Sequence, residues 1–462
     1  MIVSQATRVD VIDPILVEAF EKRLLGSLVR STDADYDAAR AVVNLRFDGH
    51  PELIVKAADA ADVIRSVEFA REHGLRLSVR SGGHGGHGYS SFDGSLVVNL
   101  SGMRSVSVDP VKRTAWVQAG ATTADLLEVA GPHGLAVSTG DTSSVGLGGL
   151  VTGGGIGWLV RKYGLSIDSL LSAEIVTADG RLVVASATQN ADLFWAVRGG
   201  GGNFGIVTAF EFQLQPVGMI FGGAVVLPPT PEVLRGFADY GVQAPDELTM
   251  IAMLMPTPPL PVVPQEAHGK LAFIVMVCYT GSPEDGQRAI EPLRQLATPL
   301  AEMVGPMPYA ALYNLTQEGA HPHPGVVRSG FMHGLPDEAI EAILSHYRES
   351  TGPVGMTQIR PLGGAFSRVS NDATAFAHRD KSIFLALINI GFGDEAEEWV
   401  KDLWQQLTPM SSGVYVNFLE DEGEDRIREA YPSETYARLA QVKRRYDPEN
   451  VFNLNQNVKP AN

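Results

Sequence analysis

Residues 80–88 have the sequence Arg-Ser-Gly-Gly-His-Gly-Gly-His-Gly, and they follow directly on a short strand-like stretch, Leu-Arg-Leu-Ser-Val at 75–79. Two further glycine-rich segments lie at 146–157 and 199–205, in a chain that contains 49 glycines. Because glycine has no Cβ, backbone rich in it can approach a ligand closely. Three such segments far apart in the sequence predict that several stretches of backbone meet around one large ligand.

The pattern Gly-x-Gly-x-x-Gly occurs at 83–88 and again at 200–205. In a dinucleotide-binding fold this pattern is followed directly by a helix, whose N-terminus binds pyrophosphate. The residues after Gly88 and after Gly205 have turn and strand character instead, so that arrangement is not expected. A glycine loop without a helix can hold pyrophosphate through successive backbone N–H groups, and the sequence favours this interpretation.

Histidines stand in two close pairs, His84 with His87 in the first glycine segment and His321 with His323 in a His-Pro-His-Pro sequence. Two histidines three residues apart can share a metal ion. No Asp, Glu or Cys stands nearby at ligand spacing, however, and glycine neighbours offer few side chains to orient the ligands, so no metal site is predicted. The second pair is interpreted either as an exposed loop or as part of a substrate pocket.

The composition is that of a large globular protein, with 462 residues of which 45% are hydrophobic and 19% charged, a length typical of two or three domains. The formal net charge of -17 disfavours nucleic acid as a partner, because an acidic surface repels phosphate backbones. The single cysteine, Cys278, excludes an internal disulfide and a multi-cysteine zinc site. No apolar run reaches about 18 residues and the N-terminus has no signal-peptide pattern, so we expect no membrane association and a cytoplasmic location.

The chain changes character at about residue 220. Up to residue 215, helical spacing of apolar residues at 14–25 and 60–74 alternates with strand-like runs, which predicts an α+β unit. Beyond it proline becomes frequent, and strand-like runs at 270–281 and 382–393 alternate with helix-like ones. This indicates a second domain in which an antiparallel sheet is covered by helices.

Five segments, taken together, resemble one family. They are RSGGH at 80–84, VQAGA at 117–121, GDTSSVGLGGLVTGGGIG at 140–157, DLFWAVRGGGGNFGIV at 192–207 and YDPENVFNLNQNVKP at 446–460. In this order they are similar to the berberine-bridge-enzyme-like and 6-hydroxynicotine-oxidase-like oxidases of the vanillyl-alcohol-oxidase (p-cresol methylhydroxylase) superfamily. The resemblance implies an α+β fold with a two-part FAD-binding domain, at 1–217 and 411–462, and a substrate-binding domain at 218–410.

The resemblance also implies a covalent flavin. The histidine of RSGGH is the residue joined to the 8α carbon of the isoalloxazine in this family, and it corresponds to His84; His87 is the neighbouring alternative. Many relatives have a second link through a cysteine, where this chain has Thr142. We therefore expect FAD attached through His84 only. Val145 corresponds to the position whose size controls oxygen access to the flavin, and a small residue there favours an oxidase.

Further residues are expected to contact the cofactor by position in the family pattern. They comprise the first glycine loop with its flanking residues, the two later glycine segments and two asparagines of the tail: Arg80, Ser81, Gly82, Gly83, Gly85, Gly86, Gly140, Gly146, Gly148, Gly149, Gly153, Gly154, Gly157, Asn203, Gly205, Ile206, Val207, Asn455 and Asn457.

The catalytic base is not evident. Relatives that oxidise alcohols carry a tyrosine at the end of a Tyr-x-Asn-Tyr motif, which here reads Tyr415-Val-Asn417-Phe418. The phenol is missing at 418, and we expect Tyr415 and Asn417 to orient the substrate. Three further side chains are candidates for the pocket: Tyr89, His323 and Tyr313.

The sequence thus predicts an FAD-dependent oxidoreductase that takes a hydride from a small organic molecule, such as an amine, an alcohol or a secondary metabolite, and passes the electrons to O2. Two alternatives remain at this stage. The enzyme could be a dehydrogenase that uses another electron acceptor, or the chain could bind flavin without turnover.

Overall fold

The computed structural model of the protein describes residues 12–259, 263–350 and 355–462. Most of the N-terminal segment for which the sequence predicts no signal peptide lies outside these ranges. Within them, no helix combines the length and the apolar composition that crossing a membrane requires.

The first sheet carries the RSGGH loop. Its strands, in spatial order, are Ser27–Arg30, Leu53–Lys56, Leu96–Asn99 and Leu77–Arg80. The last three are parallel, and the first is antiparallel to its neighbour. Helix Ala60–Glu72 connects two of the parallel strands and buries Val63, Val67 and Ala70 on one face, as the helical spacing predicts.

The second sheet holds the later part of the N-terminal half. Its strands are, in order, Val106–Asp109, Thr114–Gln118, Ile206–Gln213, Leu170–Val176 and Leu182–Ser186, and every neighbouring pair is antiparallel. A short ribbon of Leu135–Ala136 and Gln215–Pro216 accompanies it. Helix Thr123–Ala130 begins at a capping box between Thr122 and Asp125, which satisfies the free N–H groups of its first turn.

The third sheet has seven strands, all antiparallel to their neighbours. In order these are Ala301–Pro308, Met219–Leu227, Leu271–Tyr279, Leu248–Pro256, Met356–Pro361, Ile383–Ile390 and Gly325–Met332. Their apolar residues form one core with the helices Pro231–Gln243, Pro283–Arg294, Asp337–Glu349 and Asp394–Leu407. The predicted antiparallel sheet covered by helices is confirmed, and the α+β class with it.

The remaining elements are short except for the last helix. The α-helices are Pro14–Glu21, Tyr36–Arg40, Leu147–Thr152, Val160–Tyr163, Ala191–Val197, Ala365–Arg368, Glu424–Ala430 and Ser433–Tyr446. The 3-10 segments are Gly131–His133, Ser166–Asp168, Gly201–Asn203, Gln265–Ala267, Tyr309–Ala320, Thr408–Met410 and Val416–Phe418.

The C-terminal tail packs against the N-terminal half rather than against the seven-stranded sheet alone. Val458 N donates to Asn203 Oδ1 at 2.9 Å, and Asn203 Nδ2 donates to Gln456 O at 3.1 Å. Lys443 in the last helix donates to Asn203 O at 2.8 Å. The two ends of the chain therefore share one apolar core, and the seven-stranded sheet lies between them in the sequence.

Candidate functional site

A cavity of about 440 Å³ lies where the three sheets meet. Its wall combines loops of the N-terminal half, strands of the seven-stranded sheet and the C-terminal tail. Lining residues come from 81–87, 140–152, 201–207, 319–327, 415–420 and 452–456, with Arg360 and Ile388 from the sheet. The volume lies within the range of cofactor and small-molecule sites.

Both glycine patterns are followed by strands. The first strand after Gly88 is Leu96–Asn99, and Gly205 leads directly into Ile206–Gln213. The prediction that no phosphate-binding helix follows these loops is confirmed.

His84 lies in the cavity wall, and its ring is held by the 140–146 loop. Its Nε2 is 2.9 Å from Ser144 Oγ. Burial lowers the pKa of the His84 imidazole to about 4, the nearby His323 acts in the same direction, and a hydrogen bond to the Ser144 backbone opposes them. The ring is therefore neutral at physiological pH, and one nitrogen can present a free lone pair.

The first glycine loop contacts the second at the floor of the cavity. A Cβ on Gly146 would lie 2.2 Å from the backbone nitrogen of Gly82, so only glycine allows this approach. In contrast, a Cβ on Gly149 or Gly202 would meet nothing within 4 Å. Most of the predicted cofactor contacts do line the cavity: Ser81, Gly82, Gly83, His84, Gly85, Gly86, Gly140, Thr142, Val145, Gly146, Gly148, Gly149, Asn203, Gly205, Ile206, Val207 and Asn455.

Three glycines predicted to contact the cofactor are outside the cavity lining. A Cβ on Gly153 would lie 2.0 Å from Asn417 Oδ1, one on Gly154 would lie 3.0 Å from the Phe376 ring, and one on Gly157 would lie 2.5 Å from Gly140 N. These residues are glycines because other parts of the protein pack against them.

Arg80 and Asn457 are also outside the lining. The Arg80 guanidinium turns to the Tyr36–Arg40 region, where it donates to the carbonyl oxygens of Ala39 and Ala41. It therefore anchors the strand that precedes the glycine loop. Asn457 Oδ1 is buried without a hydrogen-bond partner among the described residues.

Tyr415 and Asn417 line the cavity, but the Tyr415 oxygen and the Asn417 amide nitrogen already make hydrogen bonds within the protein. Tyr415 Oη accepts hydrogen bonds from Gly155 N at 2.9 Å, from Ile156 N at 3.3 Å and from Asn417 Nδ2 at 2.9 Å. Burial raises the pKa of the Tyr415 phenol, against the effect of these bonds. The prediction that the two residues orient the substrate through these groups is not supported by this geometry, because the groups hold the 147–156 segment to the tail instead.

The other pocket candidates separate into two groups. His323 lines the cavity, with Nδ1 2.7 Å from His321 O. Tyr313 is buried behind the wall, where its hydroxyl donates to Gly140 O at 3.3 Å. Tyr89 stacks on the ring of His87 with centroids 4.5 Å apart, and it is likewise outside the lining.

Seven lining residues with polar side chains were not predicted from the sequence: Asn44, Ser90, Asp141, Thr152, Arg360, Glu420 and Gln456. Glu420 accepts from Arg328 Nη1 at 2.8 Å and from Val327 N at 3.1 Å; burial raises its pKa, and Arg328 opposes the shift. Arg360 donates to Asp141 across the cavity wall. The only sign of this pair in the sequence is the arginine at 360, and an arginine alone does not indicate that Asp141 is its partner.

The residues of the cavity fit FAD. Backbone of three glycine segments borders it, and two of those glycines face open space. Asn455 donates through Nδ2 to Gly202 O and Phe452 O, whereas its buried Oδ1 has no partner in the described ranges. A buried acceptor without a donor is costly unless a ligand supplies one, and a flavin ring carries such an N–H group. His84 would be the residue in reach of the flavin methyl edge.

Comparison with known proteins agrees with this fit. Residues 51–186 match the FAD binding domain family, and residues 414–459 match the family described as berberine and berberine like. (R)-6-hydroxynicotine oxidase from Paenarthrobacter nicotinovorans is 31% identical over 94% of this chain and 97% of its own length.

Solved structures share the whole fold. The crystal structure of 6-hydroxy-D-nicotine oxidase from Arthrobacter nicotinovorans has a TM-score of 0.84 and 28% identity, over 95% of this chain and 98% of that one. Glucooligosaccharide oxidase from Acremonium strictum has a TM-score of 0.85 and 26% identity, over 94% and 97%. The latter carries a 6-S-cysteinyl, 8α-N1-histidyl FAD.

Proposed function

The chain belongs to the berberine-bridge-like FAD-linked oxidases, and from this premise we propose that its FAD is joined to the protein through His84 alone and passes electrons from substrate to O2. The chain is an FAD-dependent oxidoreductase that acts on a small organic substrate. The nature of the flavin link and the electron acceptor are the parts that require a test.

The position and state of His84 carry the proposal. Its imidazole lies in the cavity wall, neutral because of burial. Ser144 Oγ lies 2.9 Å from Nε2. With the ring proton on Nε2, where the hydroxyl oxygen accepts it, Nδ1 is unprotonated. An imidazole nitrogen with a free lone pair is the form that can bond to carbon.

A single link follows from the residues around it. Thr142 lines the cavity at the position that the resemblance gives to a second, cysteine, attachment. The only thiol, Cys278, is fully buried in the seven-stranded sheet and outside the cavity lining. Burial raises its pKa strongly, so the thiolate needed for attachment is disfavoured.

When bound, FAD accepts a hydride from the substrate carbon and transfers the electrons onward. The backbone of 82–86 and 146–149 and the side chain of Asn455, which line the cavity, would hold the cofactor. Tyr415 and Asn417 keep the 147–156 segment in place from the tail. Val145 is in the lining, and its small side chain stands at the position that the resemblance assigns to oxygen access, which supports O2 as the acceptor.

The link is tested by denaturing the purified protein with acid. We expect the yellow colour to remain in the pellet, and a peptide that contains His84 to carry the flavin mass. The variant His84→Ala should release all of its flavin, whereas the control His87→Ala should retain it. Complete release of flavin by the unmodified protein would contradict the proposal.

The acceptor is tested on photoreduced enzyme. Mixing with air should restore the oxidised spectrum without any added carrier. Flavin that stays reduced in air but is reoxidised by a quinone would assign the protein to the dehydrogenases instead.

A further inference from the structure

A buried ion pair lies in the cavity wall on the side of the seven-stranded sheet. Arg360, in strand Met356–Pro361, donates through Nη2 to the carboxylate of Asp141, in the loop that begins at Gly140. Its Nε donates to Gln358 Oε1 at 2.8 Å. Both Asp141 and Arg360 line the cavity.

The Arg360–Asp141 pair is largely buried, but some of its hydrogen-bonding groups have no strong partner. The Arg360 side chain is 5% exposed and that of Asp141 18%. The rings of Phe384 and Phe418 each lie 5.8 Å from the guanidinium. Among the described residues, no hydrogen bond is made by Arg360 Nη1, and Asp141 Oδ1 receives only the long 3.2 Å bond from Thr142 Oγ1. These two lining residues therefore keep one donor nitrogen and one weakly bonded acceptor oxygen.

An unsatisfied donor and acceptor in a cavity select the chemistry of a ligand. A hydroxyl group accepts with its lone pairs and donates with its O–H, so it can satisfy both members of the pair at once. A protonated amine can donate to Asp141, but it has no acceptor for Arg360 and is repelled by its positive charge. A hydrocarbon leaves both groups unpaired. The arrangement therefore fits an alcohol or a hemiacetal.

We propose, on the basis of the function proposed above, that Arg360 and Asp141 bind the hydroxyl of an alcohol substrate and that Asp141 takes its proton. Arg360 donates to the substrate oxygen, and an Asp141 carboxylate oxygen accepts the O–H hydrogen. This supplies a base where the phenol of the family motif is replaced by Phe418.

The substrate C–H bond breaks, and its electron pair leaves with the hydrogen as a hydride, which bound FAD would accept. The O–H bond breaks, its proton goes to Asp141, and its electron pair becomes the second bond of the product carbonyl. Arg360 stabilises the negative charge that develops on the oxygen. The proton on Asp141 is then released to water through the cavity.

Binding is tested by calorimetry on the flavin-containing enzyme with four probes of similar size: 1-phenylethanol, acetophenone, 1-phenylethylamine and ethylbenzene. We expect the alcohol and the ketone to bind at least about tenfold more tightly than ethylbenzene, one hydrogen bond to a charged group being worth that much. The amine should bind no more tightly than ethylbenzene. In R360Q the advantage of the alcohol and the ketone should disappear.

Chemistry is tested by anaerobic reduction of the flavin with 1-phenylethanol. D141N should bind acetophenone within about threefold of the unmodified enzyme but reduce its flavin about 100-fold more slowly, the usual contribution of a positioned base. D141E, which keeps a carboxylate, should recover part of the rate. D179N, which removes the carboxylate of the surface pair with Arg181, is the matched control and should behave as the unmodified enzyme.

Several outcomes would overturn the assignment: equal or undetectable binding of all four probes, unchanged selectivity in R360Q, or unchanged reduction in D141N. If a variant does not fold, as melting would show, R360K and D141E provide the comparison. The flavin content of each preparation is recorded separately. A protein without flavin, or with flavin that is not attached to His84, refutes the proposed function and is thus distinguished from failure of this assignment.

Discussion

At the scale of single residues, the hydrogen bonds that a side chain makes within the protein decide which of its atoms can react with a ligand. His84 illustrates this, because the Ser144 hydroxyl contacts Nε2 and leaves the other ring nitrogen available. Tyr415 shows the opposite case. Its hydroxyl accepts three N–H donors and has a structural task. Two side chains of the same cavity therefore differ in function through their hydrogen-bond partners.

The variant Ser144→Ala removes the hydroxyl that orients His84. We expect covalent incorporation of FAD to slow by about tenfold, because the loss of one neutral hydrogen bond costs up to about 1.5 kcal/mol. Incorporation is measured as flavin fluorescence of denatured protein against time after FAD is added to apoprotein. Ser143→Ala, which removes the neighbouring hydroxyl, should incorporate flavin at the normal rate. Equal rates in the two variants would show that Ser144 does not position the ring.

The variant Tyr415→Phe removes the acceptor of two backbone N–H groups and of Asn417 Nδ2. Buried donors without partners cost about 1–3 kcal/mol each at most, so we expect a lower midpoint in urea unfolding. The attached flavin should remain, because Tyr415 does not contact His84. An unchanged midpoint combined with lost substrate reduction would restore the interpretation that the tyrosine acts on the substrate.

At the scale of elements, the last helix is held to the N-terminal half by a buried pair. Lys443 and Asp447 are both 0% exposed, with Nζ 2.6 Å from Oδ2. Lys443 also donates to Asn203 O at 2.8 Å and to Phe452 O at 2.7 Å, and Asp447 accepts from Val451 N and Phe452 N. Pro448 ends the helix after Tyr446, as expected for the residues before a proline.

Removing one member of this pair leaves the other as an unpaired buried charge. Lys443→Met should therefore lower the free energy of unfolding by about 3–5 kcal/mol. Arg445→Met, two residues along the same helix, removes an exposed pair with Asp192 and should cost less than about 1 kcal/mol. Urea unfolding of both variants checks the difference, and equal effects would contradict the structural role of Lys443.

At the scale of the whole molecule, buried neutral histidines make stability depend on pH. Burial lowers the pKa of His378 to about 4, and His87 is lowered to about 4 by the same cause. The unfolded chain binds protons at these positions below its ordinary pKa near 6.5, whereas the folded protein stays neutral until about pH 4. Stability is thus fully present above pH 6.5 and falls as the pH decreases towards 4.

For His378 the loss amounts to about 3 kcal/mol at most over that range. We expect the urea midpoint to decrease between pH 7 and pH 5, and His378→Gln to show a smaller decrease than the unmodified protein. Equal slopes in the two proteins would show that His378 does not remain neutral in the folded state. The carboxylates affect the pH dependence of the urea midpoint equally in both proteins, so their contribution cancels in the comparison.

The cavity itself is a property of the whole molecule, since its wall comes from both ends of the chain and from the sheet between them. The sequence predicted the α+β class, the antiparallel sheet under helices and most of the lining glycines, because glycine clusters and apolar spacing are local patterns. It assigned Gly153, Gly154, Gly157 and Arg80 to the ligand, whereas they pack against other parts of the protein.

By itself, the sequence determined which residues could approach a flavin and that the glycine-rich segments contain no thiol for a second link. The sequence determines these features because the backbone freedom of a glycine and the chemistry of a side chain are properties of the single residue. Only the tertiary structure decided which glycines face the cavity and which polar groups remain unpaired there. Asp141 and Arg360 are 219 residues apart, and their contact exists because the packing of two sheets brings a loop and a strand together, which no local pattern records.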